Sequence, residues 1–382
     1  SIGVIKPEAI REVKPTHPSQ IVSQVPGAAV AITNGEGHTT SIRQPFTTSP
    51  VYLFLEDGIP IRATGFFNHN ALYEINIPMA GGIEIIRGPG TALHGSDAIG
   101  GIINVLTPTP PLKPEASVSA DVGSNGWRRL LMSGGNGNAE NAWLANANMT
   151  HTDGWRDKTA YDRQSGGLRW DKNLASGQTL KTVLSFSRVN QETGANSPLT
   201  YTDYLFNPKL NYLPVAYRKV EALRVSTNYE REWGNSLVSL TPYFRDDSMD
   251  LLASFNLNSD PTIALTQNQS FGLLAKWRQD FPQAMRARFI AGVDLDVSPG
   301  GRREDRLNLT TSGAGASRYS LAYTVNSRVY DYDVTYKGVS PYLHGEISPT
   351  QRLRLTGGVR YDALSYDFTN NFAAGTVSPG AG

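Results

Sequence analysis

Apolar and polar residues alternate along most of the sequence after residue 110, and this period of two limits the possible folds more than any other feature. The alternation is clear in the segments 223–230, 288–296 and 353–362. A period of two places successive side chains on opposite faces of a strand, so each segment predicts a strand with one apolar and one charged or polar face. Several segments exceed ten residues, whereas soluble strands usually have about five or six and a membrane strand needs about nine to eleven. The pattern therefore predicts the long antiparallel strands of a transmembrane barrel.

The links between the predicted strands are alternately short and long. About eleven strands are expected, at 116–123, 127–134, 141–151, 162–171, 179–190, 219–233, 236–247, 269–280, 287–297, 335–347 and 353–368. The link 234–235 has two residues, whereas the longest predicted loop is 298–334. Short turns at one end and long loops at the other are typical of outer-membrane barrels.

Large aromatic residues lie near the predicted strand ends, where a membrane barrel carries its aromatic girdle. They are Trp143, Trp170, Trp233, Trp277 and Phe281. The alternative is a large soluble β-sandwich or propeller, whose strands also alternate.

Composition excludes several classes of function. The net charge of +1 provides no overall attraction to nucleic acid, and the absence of cysteine excludes thiolate metal sites, disulfides and cysteine nucleophiles. The six histidines lack the spacing of metal ligands, so no metal site is predicted. No zinc-protease motif, phosphate-binding loop or nucleophile elbow is present. We therefore expect neither an enzyme nor a cofactor.

The chain changes character at Pro108-Thr109-Pro110-Pro111, because three prolines in four residues disfavour both helix and sheet. The predicted domains are residues 1–110 and residues 111–382. Upstream of the boundary we expect helices at 7–13 and 18–25 and strands at 28–33, 51–55, 82–87 and 101–106. This mixture predicts a small α+β domain.

Five motifs in this first domain resemble, in order and spacing, the plug of TonB-dependent receptors. They are Val25-Pro26-Gly27-Ala28-Ala29-Val30, Ser41-Ile42-Arg43, Leu55-Glu56-Asp57-Gly58-Ile59-Pro60, Ile83-Glu84-Ile85-Ile86-Arg87-Gly88-Pro89, and Leu93-His94-Gly95-Ser96-Asp97-Ala98-Ile99-Gly100-Gly101-Ile102-Ile103-Asn104. The resemblance implies an α+β plug domain followed by an antiparallel transmembrane β-barrel. Since the family's barrel has 22 strands, about eleven predicted strands suggest an incomplete barrel, with the plug and the first half of the barrel present.

The resemblance also implies a location and partners. We expect the outer membrane of a Gram-negative bacterium, contact with outer-membrane lipid, and TonB as the partner that supplies energy. The short box that binds TonB lies upstream of the plug in the family and is missing from this sequence. In the receptors that this chain resembles, plug arginines pair with barrel glutamates, which implies that role for Arg43 and Arg87.

Three segments are candidates for contact with cargo, two in the first domain and one in the second. At the expected outward tip of the plug, residues 62–70 combine aromatic, amide and imidazole groups, and the candidates are Phe66, Phe67, Asn68, His69 and Asn70. Arg43 and Gln44 form a second loop that approaches substrate in the family, although Arg43-Gln44-Pro45-Phe46 departs from the family's Arg-Gly-Phe. An ordinary loop with buried phenylalanines is the alternative for residues 62–70.

The long predicted loop 298–334 offers arginines that could bind anionic oxygen and tyrosines that provide flat contact area with a hydroxyl donor. The candidates there are Arg302, Arg303, Tyr319 and Tyr323. Such a loop suits an anionic ferric chelate, and the alternative is a solvated surface loop.

The expected function is TonB-dependent uptake of a scarce solute, with an iron–siderophore complex as the first candidate cargo. Other cargoes, such as cobalamin, copper or an oligosaccharide, remain open. A passive porin or adhesion barrel, and a soluble binding module, are the alternatives from other classes.

Overall fold

The computed structural model describes residues 2–66, 68–95, 97–193 and 197–372. Within this range the chain forms a small α+β domain followed by a large antiparallel sheet. No helix in the described ranges is long and apolar enough to cross a membrane.

The N-terminal domain contains seven strands among its described residues, which are β1 (Ile2–Ile5), β2 (Ala28–Asn34), β3 (Gly37–Ile42), β4 (Tyr52–Glu56), β5 (Ile59–Pro60), β6 (Gly82–Arg87) and β7 (Gly101–Leu106). Five of them form a sheet with the order β1-β6-β7-β4-β5, and β2 and β3 form a separate hairpin. Its helices are α1 (Pro7–Val13), α2 (Ser19–Val22) and α3 (Thr91–His94), with two 3-10 helices at Ala71–Glu74 and Ile77–Met79. Strands β4 and β7 are parallel, and the other pairs of the five-stranded sheet are antiparallel.

The sequence predicted most of these elements. The expected helix 7–13 and the expected strands 82–87 and 101–106 are confirmed to the residue, whereas β1 and β3 were not predicted. Apolar side chains from the helices and both sheets form one buried cluster, which includes Ile21, Leu72, Ile83, Ile85 and Ile103. The first domain therefore has its own core.

Gly101 allows β7 to lie unusually close to its neighbours. A Cβ atom added at this position would lie 2.5 Å from the carbonyl oxygen of Ile86 and 2.7 Å from Cγ2 of Ile42. The first of these atoms belongs to the backbone of the paired strand, so it cannot move aside without disturbing the sheet.

We expect Gly101→Ala to destabilise the N-terminal domain by about 1–3 kcal/mol, because an added methyl group would force the backbone apart. Chemical unfolding of the full-length protein, followed by a probe in this domain, measures the change. Gly134→Ala is the matched control, since a Cβ atom there meets no other atom within 4 Å. Equal stability of Gly101→Ala and the control would contradict the close approach.

Twelve strands of the described chain form the second sheet, and every pair in it is antiparallel. They are β8 (Glu115–Val122), β9 (Arg128–Gly137), β10 (Asn141–Thr152), β11 (Tyr161–Ala175), β12 (Gln178–Glu192), β13 (Tyr217–Trp233), β14 (Ser236–Leu252), β15 (Thr262–Phe281), β16 (Ala287–Ser312), β17 (Tyr319–Ile347), β18 (Leu355–Arg360) and β19 (Ala363–Asn370). Each strand from β9 to β17 pairs with its neighbours in sequence, so the sheet is an up-and-down partial barrel.

The number of strands exceeds the expected eleven because the predicted strand 353–368 is two strands. Both β18 and β19 pair with β17, and the break falls at Tyr361 and Asp362. The division into residues 1–110 and 111–382 stays a prediction; β7 ends at Leu106, and β8 begins at Glu115.

The partial barrel has two different ends, which we call the turn end and the loop end. Residues 138–140, 176–177, 234–235, 282–286 and 348–354 connect strands at the turn end. Residues 123–127, 153–160, 193–216, 253–261 and 313–318 connect strands at the loop end, and this range includes the undescribed residues 194–196. The links 153–160, 193–216 and 253–261 are longer than the turns that precede them, as predicted. The alternation fails at the last pair, because 313–318 has six residues and 348–354 has seven.

The prediction that 298–334 is a loop is wrong. Strand β16 continues to Ser312 and β17 begins at Tyr319, so the segment is an extended hairpin. Pro299, Gly300 and Gly301 interrupt the apolar alternation without ending the strand. Three register shifts accompany this irregular pattern.

The aromatic girdle is present at the turn end. Trp143 and Trp170 lie opposite each other on β10 and β11, and Trp233, Trp277 and Phe281 lie near the same end on later strands. All five side chains are exposed, although they are among the largest apolar groups in the sheet. Their outward position agrees with the predicted girdle.

Candidate functional site at the interface between the two domains

Carboxylates of the N-terminal domain pair with basic side chains on the inward face of the barrel strands. Glu36, in the turn of the β2–β3 hairpin, accepts a hydrogen bond of 3.0 Å from Nε of Arg163 on β11. Glu56, at the end of β4, accepts one of 2.8 Å from Nε of Arg224 on β13. Asp57 lies 2.9 Å from Nζ of Lys181 on β12.

The central part of this interface is buried. Arg224 also donates a 2.8 Å hydrogen bond to the carbonyl oxygen of Glu74, and Ser185 donates one of 2.7 Å to Glu56. Nε of Arg62 donates to the Glu74 carboxylate at 2.9 Å. The side chains of Arg62, Glu74 and Arg224 are each less than a tenth exposed. A buried charge is costly unless it is paired and hydrogen-bonded. Each of these charges has a partner of opposite sign, although Nη1 of Arg224 has no hydrogen-bond partner among the described residues and lies 3.9 Å from the Glu74 carboxylate.

Two further charged side chains of β14 complete the buried cluster. Arg245 is fully buried and contacts Asp296 of β16 at 2.5 Å. Asp247 is also buried, and neither of its carboxylate oxygens has a hydrogen-bond partner in the described part of the chain. None of these acid–base pairs was predicted from the sequence. The available signal was that Arg224 occupies the polar side of an alternating strand.

A histidine-rich group lies next to this cluster, toward the loop end. The ring of His38 on β3 lies 6.0 Å from that of His17 and 6.2 Å from that of Tyr73, measured between centroids. Burial lowers the pKa of the His38 imidazole to about 3, so this side chain is neutral near neutral pH. The backbone N–H of His38 donates to Oδ1 of Asn70 at 2.6 Å.

The predicted contact loop 62–70 packs at the same interface. Arg62 and Asn70 are buried and hold the loop in place, through Glu74 and through His38 respectively. The Phe66 ring lies against Gly300 of β16. A Cβ atom added to Gly300 would lie 2.8 Å from Cε1 and Cζ of the ring. Asn68 donates a 2.5 Å hydrogen bond to the Tyr73 hydroxyl.

His69 lies beside Asn70, with 2.9 Å between their side-chain nitrogens, and it is partly exposed. Burial, together with the charge of Arg218, lowers its pKa to about 4. Phe67 lies outside the described residues. The structure thus brings His69 and Asn70 together, and the contact of the loop with cargo stays a prediction.

The predicted contact residues of the segment 298–334 lie on the β16–β17 hairpin. Nε of Arg302 donates to Glu304 at 2.9 Å, and Arg303 lies 3.7 Å from Asp331. Tyr319 packs edge-on against Tyr212 at 5.1 Å. Both arginines therefore have an acidic partner in the protein. Their contact with cargo stays a prediction.

The connections at the loop end pack on one another through a small apolar cluster. Buried leucines from three segments form it, and Tyr323 packs against it. They are Leu213, Leu252, Leu257 and Leu307. The loop end is consequently an ordered surface, and Tyr323 helps to build it.

Arg43 and Arg87 are placed differently from the acidic side chains of the interface. Arg43 has an exposed side chain and a φ of 56°, and Nη1 of Arg87 donates to the carbonyl oxygen of Pro26 at 2.6 Å. Gln44 packs close to Gly100, and its Nε2 is buried without a hydrogen-bond partner among the described residues. The pairing of Arg43 and Arg87 with barrel glutamates stays a prediction, as does the contact of Arg43 and Gln44 with cargo.

A cavity of about 560 Å³ lies between the two domains, toward the turn end of the barrel strands. The N-terminal domain contributes Asp57 and His94 to its lining, and the barrel strands contribute Lys181, Asn228 and Lys276. The lining also includes apolar side chains from both sides, such as Leu93 and Leu274.

Residues 1–102 match the family model of the TonB-dependent Receptor Plug Domain. Over 128 residues the chain is 35% identical to the vitamin B12 transporter BtuB of Vibrio vulnificus, a match that covers 33% of this chain and 20% of that protein. It is 33% identical over 144 residues to the vitamin B12 transporter BtuB of Photobacterium profundum, covering 37% of this chain and 23% of that protein.

Solved structures show the same fold over nearly the whole chain. The unliganded ferric citrate transporter FecA superposes with a TM-score of 0.79 at 15% identity, covering 97% of this chain and 57% of that structure. The pyoverdine receptor FpvA of Pseudomonas aeruginosa, bound to pyoverdine, gives a TM-score of 0.77 at 14% identity, with the same coverage. The chain thus spans a little over half the length of these structures.

Proposed function

Since residues 1–102 are a TonB-dependent receptor plug domain and the strands that follow form the partial barrel of such receptors, we propose that the full-length protein imports a scarce solute with energy from TonB. The observation that carries the proposal is the buried set of ion pairs between the plug and the barrel wall. A plug fixed in this way obstructs free diffusion through the barrel. Transport then needs work to displace it, which disfavours the alternative of a passive porin.

The proposed location is the outer membrane of a Gram-negative bacterium, with the girdle of exposed aromatic side chains at the lipid boundary. The loop end would face the outside, and the turn end the periplasm, as in other barrels with long outer loops. In this orientation His69 and Asn68 lie on the outward side of the plug. The cavity between the two domains lies on the periplasmic side.

A ferric siderophore is the proposed cargo. Structures with this fold include a ferric citrate transporter and a pyoverdine receptor. We assign the first contacts to Phe66, Asn68 and His69 of the plug, with Arg302 and Arg303 of the long hairpin as outer contacts. Cobalamin is the second candidate, because the curated relatives that match at 33–35% identity are vitamin B12 transporters.

Deletion of the gene is expected to reduce uptake of one radioiron-labelled ferric chelate at least tenfold in iron-limited cells, and deletion of TonB should have the same effect. The probes are ferric citrate, a ferric tricatecholate, a ferric trihydroxamate and radiolabelled cyanocobalamin. Complementation with the full-length gene is the control. Loss of cobalamin uptake alone would favour the second candidate, and uptake that persists without TonB would contradict energy coupling.

A further inference from the structure

Arg218, the second residue of β13, has no carboxylate partner among the residues that the structure describes. No ion pair or hydrogen bond of its guanidinium group is found in the described ranges, and its Nε and Nη1 atoms are shielded from solvent. The guanidinium carbon lies 5.7 Å from the centroid of the Tyr73 ring. A cation–π contact compensates only part of the lost hydration of a charged group.

Gln191 provides a second donor directly opposite Arg218 in the β12–β13 register. Its Oε1 accepts a 3.0 Å hydrogen bond from the backbone N–H of Glu36, which identifies Nε2 as the remaining donor. That nitrogen is buried and has no hydrogen-bond partner among the described residues. The two residues therefore provide unused N–H donors on adjacent strands.

The nearby plug carboxylates do not neutralise this group. Glu36 is paired with Arg163, and Glu74 is paired with Arg62. The unpaired Asp247 lies opposite Ala222, four residues farther along β13 than Arg218. The position consequently combines unused donors with a positive charge.

The neighbouring histidines add no charge near neutral pH. Burial and the charge of Arg218 lower the pKa of His69 to about 4, and burial lowers that of His38 to about 3. Arg218 is therefore the source of positive charge at this position. Both Arg218 and His69 are partly exposed, so a ligand can approach them from the loop end.

We propose that Arg218 and Gln191 bind an anionic oxygen group of the cargo, such as a carboxylate or catecholate of a ferric chelate, beside His69 and Tyr73 of the plug. Guanidinium and amide N–H groups donate to such oxygens in well-defined geometry. The cargo then provides the charge compensation that the protein lacks. This inference rests on the proposed transport function and specifies the chemistry of its cargo.

The test compares Arg218→Gln, Arg218→Lys and a matched control in the full-length receptor. The control is Arg306→Gln, which removes the same charge from a partly exposed arginine that already pairs with Asp260 at 2.7 Å. Equilibrium binding of ferric citrate, a ferric tricatecholate, a neutral ferric trihydroxamate and cyanocobalamin is measured on purified protein. Inorganic phosphate serves as a competitor, to distinguish a general anion site from one built for a chelate.

We expect an anionic chelate to bind and Arg218→Gln to weaken it about 10- to 100-fold, with Arg218→Lys intermediate and Arg306→Gln within about twofold of the parent. Millimolar phosphate should leave chelate binding nearly unchanged. If the neutral chelate or cobalamin binds tightly and Arg218→Gln does not weaken that binding, the anion site is refuted. The proposed transport function would not be affected by that result. If none of the probes binds, both the anion site and the siderophore proposal fail. Strong competition by phosphate would overturn a site specific for the chelate.

Discussion

Replacing Arg224 with methionine is expected to weaken the attachment of the plug to the barrel wall by about 3–5 kcal/mol, because it leaves the buried Glu56 carboxylate without its cation. Arg224 bonds both that carboxylate and the backbone carbonyl of Glu74, at 2.8 Å each. Hydrogen exchange of the β4 amides in the intact protein measures the effect. Their protection should fall by about two to four orders of magnitude if opening of the plug limits exchange.

The controls for this variant use an exposed ion pair and a second substitution at the buried pair. Arg188 pairs with Glu221 at 3.1 Å, but both side chains are more than half exposed, so Arg188→Met should cost at most about 1 kcal/mol. The double variant Arg224→Met with Glu56→Gln removes both charges and should recover a large part of the loss. Unchanged protection in Arg224→Met, or a double variant no better than the single one, would contradict this role.

Acidification is expected to destabilise the plug by about 2 kcal/mol at pH 5 through His38 alone. Burial is the main reason that the pKa of this imidazole falls from 6.5 to about 3, and the charge of Arg218 acts in the same direction. Below pH 6.5 the unfolded chain binds a proton at this histidine that the folded plug does not bind. The free energy of unfolding therefore falls with pH across the window from about 6.5 to 3.

The matched variant for this prediction is His38→Asn, whose side-chain amide can still donate toward the carbonyl oxygen of Glu36. In the parent plug, Nδ1 of His38 lies 3.0 Å from that oxygen. Unfolding of the plug in the intact protein is measured at pH 7.5 and pH 5 for the parent and the variant. The variant should be less stable at pH 7.5, because it leaves a small cavity, but it should lose about 2 kcal/mol less on acidification. Parallel pH curves for the two proteins would show that His38 does not titrate in this window.

The ion pairs at the interface also bear on the energy that the proposed transport would require. Glu36, Glu56 and Glu74 attach three different segments of the plug to the barrel strands, either directly or through the backbone beside them. Moving the plug would separate buried charges, and that cost exceeds ordinary thermal energy. An external source of work is consistent with such an interface.

The sequence by itself determined the class of fold. The positions of glycine and proline, together with the order of the motifs, predicted most helices and strands of the plug. They do so because tight turns and close backbone approaches tolerate few residue types. Alternation identified each strand from β8 to β15, because an inward polar face and an outward apolar face must differ at every step. The predicted bounds were too short for β14, which continues from 247 to 252, and for β15, which begins at 262 rather than 269. It failed at the β16–β17 hairpin, where Pro299 and Gly300 interrupt the pattern but cross-strand pairing continues.

Only the tertiary structure decided which charges meet. The sequence places Glu36 and Arg163 more than a hundred residues apart, and Arg218 and His69 likewise, so no local pattern connects them. Their partners depend on how the plug is seated against strands that are themselves ordered by long-range pairing. Arg302 and Arg303 have acidic partners and Arg218 does not, among the described residues. The sequence cannot show this difference, because it depends on which side chains lie near each arginine in the folded protein. Whether an arginine is free to bind cargo is therefore decided by the tertiary structure.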